Sequence, residues 1–483
     1  GMVATVMPHG VLFRGGEERA IRAAMIEADL LEAVIGLPAN LFYGTGIPAC
    51  ILVLDKEGAP GRKGLFMVDA SKGFIKDGNK NRLRAQDIHK IVDTFTRQVE
   101  TPKYSRLVPL AEVEANDFNL NLPRYIDSTE PEDVQDIDAH LKGGIPNADI
   151  DRLATYWYVF PNVRRELFAD ADRPGYSQPK VEASQVKAAI FGHPEFTAFN
   201  QTVTTLFGTW KAANTPLLTG IQPGDRPKAL IETLAESLLD TFRNSDAIAS
   251  LIDPYGVYQH LLDYWAETLQ DDVWMITSDG WKALQDRKPN IDLIPPALIV
   301  ARYFAAEQTA IEQREAERDA ISRHMEEMDE EHGGEEGLLN DARNDKGKLT
   351  KASVKARLAE IKRDKEAADE RKLLNTYSDL IEQEAAAGKA VKDAQKALDA
   401  KVSAKYKQLS EAEIKTLVVE DKWGTALAAR VQGELDCVSQ ALTGRIRQLA
   451  ERYATPMPRM AEEVETLAAR VDEHLKKMGF VWQ

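Results

Sequence analysis

MPHGVLFRGGEERAIRAAM, residues 7–25, decides how the N-terminal part of this 483-residue chain folds. It follows directly on VATVMP (3–8), a short apolar run rich in β-branched side chains, which is the pattern of a buried strand. His9-Gly10 and Gly15-Gly16 break the chain. Glu17 and Glu18 then open a helix with negative charge where the helix dipole favours it. Ile21, Ala24, Met25 and Ala28 recur at helical spacing and mark one apolar face. A strand, a turn and a helix with no unit before them make an unusual opening for an α/β domain.

Outward from that stretch, LEAVIGLP (31–38) is the next strand. ACILVLDK (49–56) is another, a continuous apolar run suited to a strand covered on both faces. GLFMVDAS (64–71) makes a fourth. Residues 1–70 therefore read strand–helix–strand–strand–strand, the closing part of a larger α/β sheet.

Near Asp127 the character changes. Strand signals thin out, and amphipathic helices alternate with the proline-rich breaks RPGYSQPK, QPGDRPK and RKPNIDLIPPA. YGVYQHLLDYWAETLQ (255–270) sets Tyr258, Leu261, Leu262, Trp265 and Leu269 on one helical face, read as core packing in preference to a ligand box. Residues 311–372 interleave charges of both signs. They predict two long, solvent-laced helices joined by the turn HGGEEGLLNDARNDKGK (332–348), a hairpin with a thin seam of Ile321, Met325, Met328, Val354, Leu358 and Ile361. Val391, Ala394, Leu398, Val402, Tyr406 and Leu409 continue the theme.

The last segment carries a stronger stripe. Trp423, Leu427, Val431, Leu435, Val438, Leu442, Ile446 and Leu449 step by three or four; ATPMPRM (454–460) breaks the run, and Val464, Leu467, Val471 and Leu475 resume it. Such a helical hairpin must bury its stripe against other helices, in this chain or in a partner.

Composition excludes several functions. Two cysteines far apart, Cys50 and Cys437, form neither a metal spacing nor a disulfide framework, which points to a reducing, cytoplasmic setting. No apolar run approaches the roughly 20 residues of a membrane span. The eight histidines form no His-Glu-x-x-His and no Cys/His cluster, so no metal site is expected. A Gly-x-Ser-x-Gly elbow, a P-loop and a Gly-x-Gly-x-x-Gly turn after a strand are all missing. The net charge of −16 argues against nucleic acid, yet residues 1–127 are balanced, with 16 Lys/Arg and 16 Asp/Glu. Within them KGFIKDGNKNRLR (72–84) sets Lys72, Lys76, Lys80, Arg82 and Arg84 against Asp77 alone. That loop suits phosphate contact or plain solvation equally by composition.

The sharpest local signal is LPANLFYGTGIPACILVL (37–54). Phe42 and Tyr43 precede Gly44 and Gly46 and then a strand. Glycines allow a tight turn or the close approach of a ligand, and exposed aromatics beside them can stack on a planar ring. A hairpin loop whose aromatics cap the core is the competing reading.

This stretch, with MPHGVLFRGGEERAIR (7–22) and NDFNLNLPRYID (116–127), closely resembles the methylation (M) subunit of type I restriction-modification systems. Those are S-adenosylmethionine-dependent DNA methyltransferases acting on the N-6 amine of adenine. Residues 420–479 look like the helical tail of long-form members. The resemblance implies that Phe42 stacks on an adenine flipped out of the duplex. By the same resemblance Tyr43, Thr45 and Gly46 line that pocket, and Lys80, Arg82 and Arg84 are candidate phosphate contacts. The family's glycine-containing cofactor loop and its (Asn/Asp)-Pro-Pro-(Tyr/Phe) motif are not in this sequence, so no catalytic, cofactor-binding or metal residue is assigned. Both lie upstream in the family, which implies a start at about the fifth strand of a seven-strand sheet, with the strand at 3–7 left open on one side.

The fold expected is an α/β remnant, the second half of a Rossmann-like methyltransferase sheet at 1–127, followed by a predominantly α-helical region with long helical hairpins. The latter divides into a helical domain (128–304), a charged long-helix hairpin region (305–415) and a C-terminal hairpin (416–483). The function expected is part of a type I adenine-specific DNA methyltransferase subunit, with DNA, a specificity subunit and a restriction subunit as partners. Alone, the chain is expected neither to methylate nor to bind S-adenosylmethionine. Trp423, Leu427, Val431, Leu435, Leu442 and Ile446 would dock the specificity subunit. The alternative is a non-catalytic truncated paralogue, a helical scaffold or interaction protein.

Overall fold

A computed structural model describes residues 1–129, 133–334, 337–364 and 366–480. The two glutamates inside the turn expected at 332–348, Lys365 in the charged region, 130–132 near the start of the expected helical domain and the last three residues of the expected docking segment lie outside the described residues.

The N-terminal elements come in the order read from sequence: β1 (Met2–Pro8), α1 (Glu17–Glu27), β2 (Leu31–Gly36), β3 (Ala49–Asp55) and β4 (Gly64–Asp69). A small hairpin of β5 (Ile75–Asp77) and β6 (Lys80–Arg82) follows, then α2 (Ala85–Arg97), β7 (Ser105–Pro109) and α3 (Leu110–Ala115). Among the described residues the main sheet runs β1-β3-β2-β4-β7. β3 lies between β1 and β2 and is antiparallel to both; β2 and β4 are parallel, and β7 closes the far edge antiparallel to β4. Alternation splits each strand between two cores. One face packs Val34 and Met67 with Leu12, Ile26 and Leu122. The other packs Ile35, Phe66 and Val68 with Ile91 of α2.

β1 is the strand expected to be open on one side, though its faces are less covered than the apolar run implied. Met2, Val3 and Val6 are exposed. The strand forms the sheet edge, with a ladder to β3 on one side and none on the other among the described residues. An apolar run marks a strand but does not say how many of its sides are covered.

After 127 the chain is mainly helical. Its longer helices include α4 (Pro227–Arg243), α5 (Pro254–Tyr264), α6 (Ala305–His332), α7 (Lys351–Glu360), α8 (Ala368–Tyr406), α9 (Thr425–Arg452) and α10 (Met457–Lys477). Among the described residues no helix is long and apolar enough to cross a membrane. The chain forms two compact units, one of residues 1–214, 227–270 and 426–483, the other of 215–226 and 271–425. These units cut across the four consecutive segments expected, because helices remote in sequence pack together.

In the first unit α2 packs on α5 and α5 on α4. Tyr255 Oη donates to Asp93, Arg243 pairs with Asp93 at 2.9 Å, and the Gln86 N–H donates to Gln259 at 3.0 Å. Val257, Leu261 and Tyr264 form the buried face of α5, and a π-turn at Trp265–Leu269 carries it on to Leu269. Tyr258, Leu262 and Trp265 lie half-buried at its border.

In the second unit the six seam residues expected within 311–372 do share one core, but the helix pairing differs from the hairpin expected. α6 pairs with α8, because the 10 residues of α7 cannot cover the 28 of α6. α7 instead contributes Val354 to a core shared with Met328, Leu374 and Tyr377.

Candidate functional site

The aromatic loop spans 37–48, between the antiparallel strands β2 and β3. It starts where the chain leaves Gly36, a position where a Cβ would lie 2.3 Å from a Leu122 methyl carbon and would force that side chain to shift. The Leu37 N–H donates to Ala49 O at 2.9 Å, and the His9 N–H to Pro48 O at 3.0 Å, tying the loop to β3 and to the end of β1. Within the loop the Ile47 N–H donates to Thr45 Oγ1 at 3.0 Å. Gly44 adopts φ +81°, a left-handed conformation that other residues take at a cost. The chain therefore reverses immediately after Phe42 and Tyr43, and both rings turn outward. Tyr43 is 94% exposed and Phe42 41%. The alternative of aromatics capping the core is not what the loop does.

Two residues of β6 hold this geometry. Lys80 Nζ donates to Phe42 O at 2.8 Å and to Thr45 O at 3.1 Å. Asn81, buried beside it, donates from Nδ2 to Ala39 O at 2.6 Å and from its main chain to Asn40 O at 3.0 Å. The loop's carbonyls take both of these buried donors, while Asn81 Oδ1 is buried without a partner. Sequence reading missed Asn81; the one signal for it is the GNKN turn within the basic stretch.

The structure thus brings Phe42, Tyr43, Thr45, Gly46 and Lys80 together, while Arg82 and Arg84 serve elsewhere. Arg82 pairs with Asp77 across the β5–β6 hairpin at 3.1 Å. Arg84 caps α2, with its guanidinium on both oxygens of Asp87 at 2.9 and 3.0 Å and its N–H on the same carboxylate at 2.8 Å. The Asp87 hydrogen bond raises the Arg84 pKa further.

The expected docking residues need correction. Leu427, Val431, Leu435, Leu442 and Ile446 are buried within the first unit. The flanks of α9 explain why: Arg430 pairs with Glu267, Glu434 with His260 at 2.6 Å, Arg445 with Asp133 at 2.8 Å, and Arg447 Nε donates to Ala183 O at 2.7 Å. Trp423 is buried in the second unit, its indole donating to Asp272 at 2.8 Å beside the Trp281 ring. The chain's own helices cover the stripe. The apolar side that stays open belongs to α10, where Met457, Met460, Val464, Leu467 and Val471 are all exposed, Val464 at 64%. Val134, Ile137 and Leu141 are exposed next to it, at the Ile137–Lys142 helix that packs on α10.

Residues 1–134 match the N-6 DNA methylase family. The chain is 38% identical over 144 residues to the methylase subunit of the type I restriction enzyme MjaVII of Methanocaldococcus jannaschii, covering 29% of this chain and 25% of that protein. It is 33% identical over 137 residues to the methylase subunit of the type I restriction enzyme MpnII of Mycoplasma pneumoniae, covering 28% and 25%. A solved type I restriction-modification methyltransferase subunit from Streptococcus thermophilus is 41% identical over 26% of this chain and 27% of its own, with a TM-score of 0.25. The chain spans about a quarter of the length of the curated relatives it matches.

Proposed function

We propose, from the premise that residues 1–134 belong to the N-6 DNA methylase family, that this chain is part of a type I restriction-modification DNA methyltransferase acting on the N-6 amine of adenine. The observation that carries the reading is the aromatic loop, stapled by Lys80 and Asn81 with Phe42 and Tyr43 facing out. A base inside a duplex is out of reach of such chemistry, so the enzyme must extrude it and hold it by stacking and edge contacts. Phe42 is the stacking ring, with Tyr43, Thr45 and Gly46 as its neighbours.

S-adenosylmethionine is the methyl donor this reading implies. Of the four carboxylates in the segment from β4 to α2, Asp77, Asp87 and Asp93 pair with Arg82, Arg84 and Arg243, and Asp69 accepts the Ser71 N–H. With three of these four carboxylates held by arginines, the described residues there do not fit a ribose-binding acid. The docking of a specificity subunit is assigned to α10, whose stripe lacks the covering that α9 has. The same stripe favours the second reading, a helical scaffold without catalysis.

A methyl-transfer assay separates the two. It uses this chain combined with an upstream methylase segment carrying the cofactor loop and the (Asn/Asp)-Pro-Pro-(Tyr/Phe) motif, labelled S-adenosylmethionine and an adenine-containing duplex. Phe42→Ala is expected to slow transfer about ten- to hundred-fold, from roughly 1–3 kcal/mol of lost stacking. An unchanged rate would remove Phe42 from the pocket. A complex that never methylates would leave the scaffold.

A further inference from the structure

A cavity of about 340 Å³ lies between the loop after β1 and the turn after α3, lined among others by Phe13, Arg19, Arg22, Asn116, Asp117 and Arg124. Arg22 is 8% exposed, and it joins the two walls: Nε donates to Phe118 O at 3.1 Å and Nη1 to Val11 O at 2.7 Å. The wall it holds is bent on purpose, with Asp117 and Phe118 both left-handed at φ +57° and +55°. Arg19 Nε donates to Asp117 at 2.9 Å, and Arg124 reaches the neutral Asn116 Oδ1 at 3.4 Å. The lining thus carries three guanidiniums and one carboxylate, with Glu18 also acting on Arg22 from outside it, and the wall geometry is fixed before any ligand arrives.

We propose that this cavity binds a phosphodiester group of a nucleic-acid backbone. Guanidinium forks match phosphate oxygens in geometry and remain charged at any relevant pH. Arg124, whose side-chain partner is the neutral Asn116, supplies charge that Asp117 does not neutralise. Phe13, exposed at the rim, offers a ring face to a sugar or base. The placement suits a backbone running past the aromatic loop: the 9–16 and 37–48 loops leave the same edge of the sheet, joined by the His9–Pro48 hydrogen bond. This inference rests on the DNA reading above. A free phosphate presents the same chemistry and is separated from it by the test.

The full-length chain is titrated with a labelled DNA duplex by fluorescence anisotropy across a salt series, and with inorganic phosphate by calorimetry. The variants are Arg124→Gln, the charge-balanced pair Arg19→Gln with Asp117→Asn, and Lys56→Gln beyond the opposite end of β3 as a control of equal charge change. Circular dichroism melts check that each is folded. Arg124→Gln is expected to weaken duplex binding about ten-fold and to flatten the slope of log K against log salt by about one, the loss of one phosphate contact, whereas the charge-balanced pair weakens binding through the lost wall geometry and keeps the wild-type slope. Lys56→Gln keeps the wild-type slope. Duplex binding with an unchanged slope in Arg124→Gln overturns the cavity as a phosphate site and leaves the DNA reading intact. Phosphate binding lost in Arg124→Gln, without duplex binding by the wild type, keeps the phosphate site and overturns the DNA reading. Binding of neither probe overturns the proposal.

Discussion

At the aromatic loop the ammonium of Lys80 sits on two carbonyls, those of Phe42 and Thr45, which lie 38 and 35 residues earlier in the chain. Hydrogen bonds from a charged donor are the stronger kind, about 1.5–3 kcal/mol each where water is excluded and less at a partly open site such as this. Lys80→Met keeps the stem and removes both bonds. It is expected to speed amide exchange across residues 38–48 about ten-fold or more while exchange in β2 and β3 stays unchanged, as read by mass spectrometry. Unchanged exchange in the loop would mean that Asn81 alone holds it. The sequence offered Lys80 as a phosphate contact because a lysine's type says that it will find acceptors, not which ones. Arg84 illustrates the same limit, its charge being used on Asp87 three positions on.

Among the elements, α9 and α10 share one apolar period and meet opposite fates. The stripe of α9 is buried and its polar flanks are ion-paired to the same chain, while the stripe of α10 is open. A buried leucine truncated to alanine loses its transfer energy and leaves a cavity, whereas an exposed one loses little. Leu442→Ala is therefore expected to cost about 2–5 kcal/mol in urea unfolding. The pair Val464→Asp and Leu467→Asp should leave unfolding nearly unchanged and abolish co-purification with a specificity subunit. Retained complex formation would move the interface off α10. Periodicity identified both helices as amphipathic, since 3.6-residue spacing is a local property. Which stripe finds a cover depends on what the rest of the chain brings alongside.

For the whole molecule, the first unit is held across more than 300 residues by Asp133, which binds Arg445 at 2.8 Å, Arg452, and Arg152 at 3.5 Å. Hydrogen bonds from Arg445 and then Arg452 hold its carboxyl well below the ordinary carboxylate range. A depressed folded value means that this stability is fully present above the unfolded value of 3.8 and fades as the pH falls below it. Asp133→Asn is expected to lower stability at neutral pH by about 1 kcal/mol, the small figure reflecting a carboxylate partly open to water. The gap between wild type and variant should close as urea melts are taken to acid pH. A gap that persists unchanged there would assign the loss to packing instead of charge.

What the amino-acid order specified was everything local: the strand–helix–strand–strand–strand start, the helical character after Asp127, the aromatic pair set before two glycines, and the family that these phrases resemble. Periodicity, β-branching and turn residues act between neighbours in the chain, so they are legible there. Tertiary structure alone decided that α6 pairs with α8, that Lys80 grips the loop, and that α9 is covered while α10 is not. Each of those depends on which distant group comes to lie opposite, and a charge or an apolar face accepts many partners until packing selects one.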